Sequence, residues 1–153
     1  MPAWSVRPEP ADAPDVVALL RRYFAELTVR WFHRPTTERE VDETLAEFPT
    51  VGLAVLLVLR ADGVAAGCLG VHPSGELTRM YVEPERRRAG GGRALLDAAQ
   101  AWARDEGLAR LFLDTRADLV EARGLYAAAG FTEVPPPPGP HGPFQDHWFE
   151  KVL

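Results

Sequence analysis

The sequence predicts an α+β fold, a mixed and mostly antiparallel sheet of about seven strands with four helices. Residues 54 to 82 hold three apolar runs separated only by tight turns, the pattern of consecutive antiparallel strands. Amphipathic stretches at helical spacing lie on either side of them. The passage from residue 82 to residue 111 runs through one of those helices, and a crossover of that kind joins parallel strands, so the sheet is mixed.

The elements follow in order. Trp4 to Arg7 is a short first strand. Asp12 is placed as the N-cap of a first helix with Pro14 in its first turn, and Val17, Leu20, Phe24 and Leu27 form its stripe to about Val29. Thr37-Glu38-Arg39-Glu40 matches a capping box, so a second helix starts there, buries Val41, Leu45 and Phe48, and ends at Pro49. Ala54 to Arg60 is a buried strand, and Asp62-Gly63 takes the positive φ angles of a hairpin turn before the returning strand Val64 to Val71. His72-Pro73-Ser74-Gly75 turns the chain into a third strand ending at Val82. Leu95, Leu96, Ala99, Trp102 and Ala103 share one face of a third helix, and Leu111 to Thr115 is the next strand. Leu119, Ala122, Tyr126 and Ala129 line a short fourth helix stopped by Gly130. Phe131 to Val134 and Asp146 to Leu153 close the sheet around a stiff proline spacer, Pro135 to Pro138.

Composition narrows the function. The 153 residues fit a single domain, residues 1–153, with 46% hydrophobic and 25% charged residues, values ordinary for a globular chain. A net charge of -5 argues against an extended nucleic-acid footprint or an anionic-membrane surface. The lone cysteine, Cys68, excludes an intrachain disulfide framework and fits a cytoplasmic protein. Met1-Pro2-Ala3-Trp4 does not open a signal peptide, and the longest apolar run, Leu53 to Leu59, is too short for a membrane span.

The segment from Val82 to Leu96 carries the chemistry. A strand ends, Arg86-Arg87-Arg88 and Gly90-Gly91-Gly92 follow, and a helix opens at once. Amides at a helix start are unpaired and the helix dipole adds partial positive charge there. Glycine allows an anion close to the backbone, and arginines add charge-assisted hydrogen bonds. These features describe a diphosphate site. A nucleotide P-loop would need Lys and Ser/Thr after Gly92, and neither is present. A dinucleotide fingerprint would need a third glycine where Leu95 stands. The remaining pattern, Arg/Gln-x-x-Gly-x-Gly/Ala, is met by Arg87-Arg88-Ala89-Gly90-Gly91-Gly92.

With that pattern the sequence resembles the GNAT superfamily of N-acetyltransferases. Glu76 to Pro84 looks like the strand and exit before the family's loop, Leu113-Asp114-Thr115 like its next strand, and Ala122 to Phe131 like its Ala-x-x-x-Tyr-x-x-x-Gly-Phe helix. The resemblance spans about residues 52 to 153; before that it is one of element order alone. It implies α/β/α layers with a splayed parallel pair at the centre, and acetyl-CoA as co-substrate. Amides of Arg87, Arg88, Ala89, Gly90, Gly91, Gly92 and Arg93 would hold the diphosphate. Main-chain groups of Met80, Tyr81 and Val82 would bind the pantetheine arm like an added strand. Such an arm needs the strands to part, and a bulge near Arg79 or Met80 would part them.

The resemblance further implies direct attack of an amine on the thioester, and the chain has no Gly-x-Ser-x-Gly nucleophile to suggest otherwise. Tyr126 stands where the family keeps the acid that helps the thiolate leave; the plain structural reading is a core tyrosine. Glu76, at a strand start, is the candidate base, because a partly desolvated carboxylate has a raised pKa and accepts a proton more readily. Its plain reading is a solvated carboxylate or one paired with Arg79. Glu26, His33 and His72 are weaker base candidates. His141 and His147 lack metal-ligand spacing, so no metal is expected. Pro135 to Pro143 is compatible with an acceptor lid, a homodimer contact or a plain loop. The leading function is N-acetyltransfer to a primary amine of a small molecule. Its rivals are acetylation of a protein N-terminus or lysine, and a non-catalytic acyl-CoA-binding sensor.

Overall fold

A computed structural model describes residues 4–47, 52–116, 120–142 and 145–153. Along these residues run β1 (Trp4–Pro8), α1 (Pro14–Phe32), α2 (Glu38–Glu47), β2 (Val55–Ala61), β3 (Val64–Val71), β4 (Leu77–Val82), α3 (Gly91–Asp105), β5 (Arg110–Thr115), α4 (Val120–Ala128), β6 (Thr132–Val134) and β7 (His147–Val152). The seven expected strands and four expected helices are present. They form two antiparallel sheets, ordered β1-β2-β3-β4 and β5-β7-β6. A parallel bridge between Glu76 and Phe112 joins the two.

β2 and β3 are apolar on both faces because both faces are covered. Leu57, Leu59, Leu69 and Val71 pack with Leu95, Leu96 and Ala99 of α3. Leu56, Val58, Ala65 and Cys68 point the other way and pack with Val16, Leu19 and Leu20 of α1. This alternation is the two-residue period of a strand, and it produces the α/β/α layering. Leu59 is fully buried, so truncating it to Ala would cost about 2–5 kcal/mol through lost burial and the cavity left behind.

Local chemistry sets the element ends. Ala13, not Asp12, is the N-cap of α1, with φ -62° and ψ 135° and no side-chain cap. A residue before proline is pushed to extended backbone, and Pro14 at the first helical position imposes this on Ala13, leaving Asp12 one residue too early. The helix also runs a turn beyond Val29, to a left-handed cap at His33 whose N–H donates to the Val29 carbonyl. Its buried stripe is Val16, Leu19, Leu20, Phe24 and Thr28, whereas Val17 is 37% exposed. The expected stripe was therefore displaced by one residue at its start. Thr28 is tolerated in the core because its hydroxyl donates to the Phe24 carbonyl at 2.9 Å.

The capping box of α2 forms as expected: the Glu40 N–H donates to Thr37 Oγ1 and the Thr37 N–H to Glu40 Oε1. Val41 is buried, but Thr44 rather than Leu45 is its buried companion. Phe48, Pro49, Leu119 and Pro143 lie outside the described residues. The hairpin between β2 and β3 has φ 51° at Asp62 and 83° at Gly63, the two positive angles of a type I′ turn.

The feature that opens the site is in β4. Cys68 faces Tyr81 and Gly70 faces Thr78, so β4 carries one residue more than β3 over that stretch. Arg79 absorbs it with φ 54°, and Cys68 Sγ donates to its carbonyl at 3.2 Å. This is a β-bulge, and it bends β4 away from β5. Ahead of it, the Phe112 N–H still reaches the Gly75 carbonyl at 3.1 Å, while the other edge of β5 pairs with β7 along its whole length. Among the described residues, no helix is long and apolar enough to cross a membrane.

Candidate active site between the splayed strands

After β4 the chain makes a short 3-10 turn, Pro84–Arg86, then two left-handed residues, Arg88 at φ 64° and Gly90 at φ 91°. Helix α3 opens at Gly91, and its first hydrogen bond runs from the Ala94 N–H to the Gly90 carbonyl. Among the described residues, the amides of residues 88–93 have no acceptor in the chain. They form a run of donors at the positive end of a helix dipole. The loop is clamped from outside: Trp4 Nε1 donates to the Ala89 carbonyl at 3.0 Å, and Arg87 Nε to the Val82 carbonyl at 2.7 Å. It is also packed tightly from beneath. A Cβ on Gly91 would stand 2.7 Å from Leu59 Cδ2, so the helix start rests directly on the sheet.

This loop lines one side of a cleft of about 590 Å³. Met80, Tyr81, Val82, Arg87, Arg88, Gly90, Gly91, Gly92 and Arg93 all face it; Ala89 does not, its carbonyl being held by Trp4. Five arginines line the cleft (Arg30, Arg86, Arg87, Arg88 and Arg93) against two carboxylates, Glu26 and Glu121. Several of these charges are paired. Arg87 reaches Glu26 and Arg88 reaches Glu121, each at 2.7 Å, and Arg93 reaches Asp97 at 3.0 Å. Burial alone would raise the Glu26 pKa, but Arg87 and Arg30 outweigh it and hold the carboxyl below its usual range. Glu26 is thus a salt-bridge partner of the loop and badly suited to be a base. Excess positive charge and unpaired amides together fit a diphosphate.

A second cleft of about 590 Å³ lies on the other side of the splay, and Glu76, His72, Asp114 and Gln145 line it. The two clefts meet, since Tyr23, Leu27, Met80, Thr115 and Tyr126 line both. Tyr126 is 6% exposed and packs among Phe131 and Phe149 at ring separations of 6.1 and 5.8 Å. Its hydroxyl has no hydrogen-bond partner among the described residues, and burial, followed by the charge of Asp114, pushes its pKa up to about 12. The core role and the cleft role hold together. Burial likewise raises the Glu76 pKa, with Asp114 adding to it and His72 opposing it. Arg79 is not an ion-pair partner of Glu76; its guanidinium lies over the Phe24 ring, 5.7 Å from the centroid. His33 serves as the cap of α1, and His147 contacts Glu133 at 3.1 Å. Among the described residues, no group of three His, Cys, Asp or Glu could hold a metal.

The splay thus brings together loop 86–93, β4 and Tyr126 on one side, and Glu76 on the other. The sequence reading did not single out Tyr23, Asp114 or Gln145. Asp114 carried a signal, a carboxylate inside an apolar strand, as at Glu76. Tyr23 and Gln145 carried none, because neither helix periodicity nor a loop reveals what a side chain will face.

Comparison with known proteins agrees with this geometry. The family model described as Acetyltransferase (GNAT) family matches residues 16–131. An aminoglycoside N(6')-acetyltransferase type 1 of Stenotrophomonas maltophilia is 34% identical over 112 residues, 65% of this chain and 73% of that protein. An uncharacterized N-acetyltransferase of Schizosaccharomyces pombe is 33% identical over 138 residues, 83% of this chain and 80% of that protein. The PaiA N-acetyltransferase of Thermoplasma acidophilum, solved in complex with coenzyme A, superposes with a TM-score of 0.74 over 99% of both chains at 16% identity, which establishes a shared fold.

Proposed function

The chain belongs to the acetyltransferase (GNAT) family, and we propose that it moves the acetyl group of acetyl-CoA directly to a primary amine of a small molecule. One observation carries this reading: a cleft lined by unpaired amides meets a second, carboxylate-lined cleft at Tyr126. The name of the Stenotrophomonas relative, an aminoglycoside acetyltransferase, supports a small-molecule acceptor.

Acetyl-CoA supplies an acetyl group activated as a thioester. The amides of residue 88 and residues 90–93 bind its diphosphate, with Arg87, Arg88 and Arg93 adding positive charge beside them. Met80, Tyr81 and Val82 offer the open main-chain edge of β4 past the bulge to the pantetheine. This points the thioester at the junction of the clefts. Glu76, directly or through water, removes one proton from the acceptor ammonium, and its raised pKa makes it a stronger proton acceptor than an ordinary carboxylate. The freed nitrogen forms the N–C bond to the acyl carbon as the C–S bond breaks and its electron pair leaves on sulfur.

Tyr126 has a narrower role than full acid catalysis. With a pKa near 12 it stays protonated, and outright proton transfer to a thiolate of ordinary pKa, about 8.5, would be uphill by about 5 kcal/mol. It stabilises the departing sulfur by hydrogen bonding. The second proton, given up as the nitrogen becomes an amide, then passes to sulfur through the tyrosine hydroxyl. The count closes with one proton on Glu76 and one on the thiol.

The test is thiol release from acetyl-CoA with a panel of primary amines, and mass analysis of the products. At least one amine should raise thiol release far above hydrolysis and gain one acetyl group on nitrogen. Coenzyme A binding without amine-dependent release would instead mark a binding module. Acetylation of protein termini or lysines alone would overturn the small-molecule assignment.

A further inference from the structure

Glu76 and Asp114 are two half-buried carboxylates that no ion pair holds among the described residues. Phe112 bridges Glu76, and Asp114 lies two residues farther on the same face of β5, about 7 Å along the strand. Both line the second cleft. Among the described residues no ion pair reaches either side chain. Arg79 and Arg116 line the same cleft. The groups facing the pair are His72, near Glu76, and His141, near Asp114, each favouring the charged carboxylate weakly against burial. Burying like charges together is costly unless something positive joins them.

We propose that Asp114, held by Gln145, is a second carboxylate of the acceptor site and takes the substrate ammonium between itself and Glu76. The proposal rests on the amine-transfer reading and adds to it a residue for the acceptor. Gln145 Nε2 donates to Asp114 Oδ2 at 3.1 Å, leaving the other oxygen for a ligand. Gln145 is itself fixed, because its Oε1 accepts from the Gly142 N–H at 2.6 Å and the neighbouring Asp146 N–H bonds the Thr115 carbonyl at 3.1 Å. Asp114 lines the second cleft together with Tyr23 and Tyr126, two of the residues that line both clefts. Tyr126, 94% buried and with an unpartnered hydroxyl, lines the same cleft as both carboxylates. An aliphatic ammonium bound there donates to both carboxylates, and loses its proton to one of them before attack.

The test compares Asp114→Asn and Gln145→Ala with the unmodified enzyme, using the best amine from the panel at saturating acetyl-CoA. A charge-assisted hydrogen bond lost from the ammonium should raise the amine KM about 10- to 100-fold in Asp114→Asn. Gln145→Ala keeps the carboxylate but frees it, so its KM should rise by a smaller factor, about 3- to 10-fold. Coenzyme A affinity, read by calorimetry, should stay within about twofold in both. An amine KM and kcat within about twofold of the unmodified enzyme in both variants would overturn the proposal, as would equal loss of amine and coenzyme A binding. If Asp114→Asn does not fold, Gln145→Ala decides by the same criteria. An unmodified protein that acetylates no amine would overturn the function itself, a result distinct from any variant's failure.

Discussion

The cleft at Gly90 and the cleft at Glu76 share Tyr23, Met80 and Tyr126, yet they are made in different ways. The first is made largely by one stretch of chain, β4 and the loop into α3, and the donors it presents are main-chain amides. The second gathers side chains from α1, α2, β4, β5 and the segment before β7. Amides at a helix start present the same donors whatever side chains surround them, which suits a partner of fixed chemistry such as a diphosphate. A pocket of side chains changes with each substitution, which suits an acceptor that varies. The two clefts should therefore fail separately when altered.

The largest effect belongs at their junction. Tyr126→Phe removes the hydroxyl proposed to donate to the departing sulfur and leaves the ring in place among Phe131 and Phe149. Turnover should drop about 100- to 1,000-fold with coenzyme A affinity unchanged, measured by thiol release and calorimetry. Turnover unchanged where chemistry limits the rate would remove Tyr126 from the reaction and break the link between the clefts.

A middle effect should fall on the first cleft alone. Gly90 sits at φ 91° with open space around its Cβ direction, the nearest atom being Trp4 Nε1 at 4.0 Å, so a side chain there meets strain and no clash. Gly90→Ala should lower stability by about 1–2 kcal/mol. Relief of that strain by turning the loop would swing its amides away and weaken coenzyme A about 10-fold. The amine KM, measured at saturating acetyl-CoA, should not move. A parallel rise in both constants would show that the clefts are not independent.

The smallest effect is expected at Arg88. Its pair with Glu121 is exposed on both sides, so Arg88→Ala should change stability by less than about 0.5 kcal/mol. Coenzyme A affinity should fall only a few-fold, and the difference should shrink as salt is raised. A large, salt-insensitive loss would mean that the arginine side chains, rather than the amides, carry the diphosphate.

The same contrast explains what could be read in advance. The hairpin at Asp62-Gly63, the capping box at Thr37 and the loop at Gly90 are local patterns, each fixed by a few adjacent residues. The bulge near Arg79 was foreseen only because a splayed sheet required it. The face of α1 was misread by a residue at Val17 because the sheet beneath, not the helix, decides which side is buried. Asp114 and Gln145 meet across 31 positions of sequence, and no spacing rule records that contact. Tyr23 reaches the junction through the placement of α1, which again is a matter of packing.

The most direct test is an amide NMR titration with coenzyme A. The backbone N–H signals of residue 88 and residues 90–93 should shift and become protected from exchange as the ligand saturates, ahead of signals from the Glu76 side. Saturation with those five amides unmoved, or no binding at all, would contradict the account.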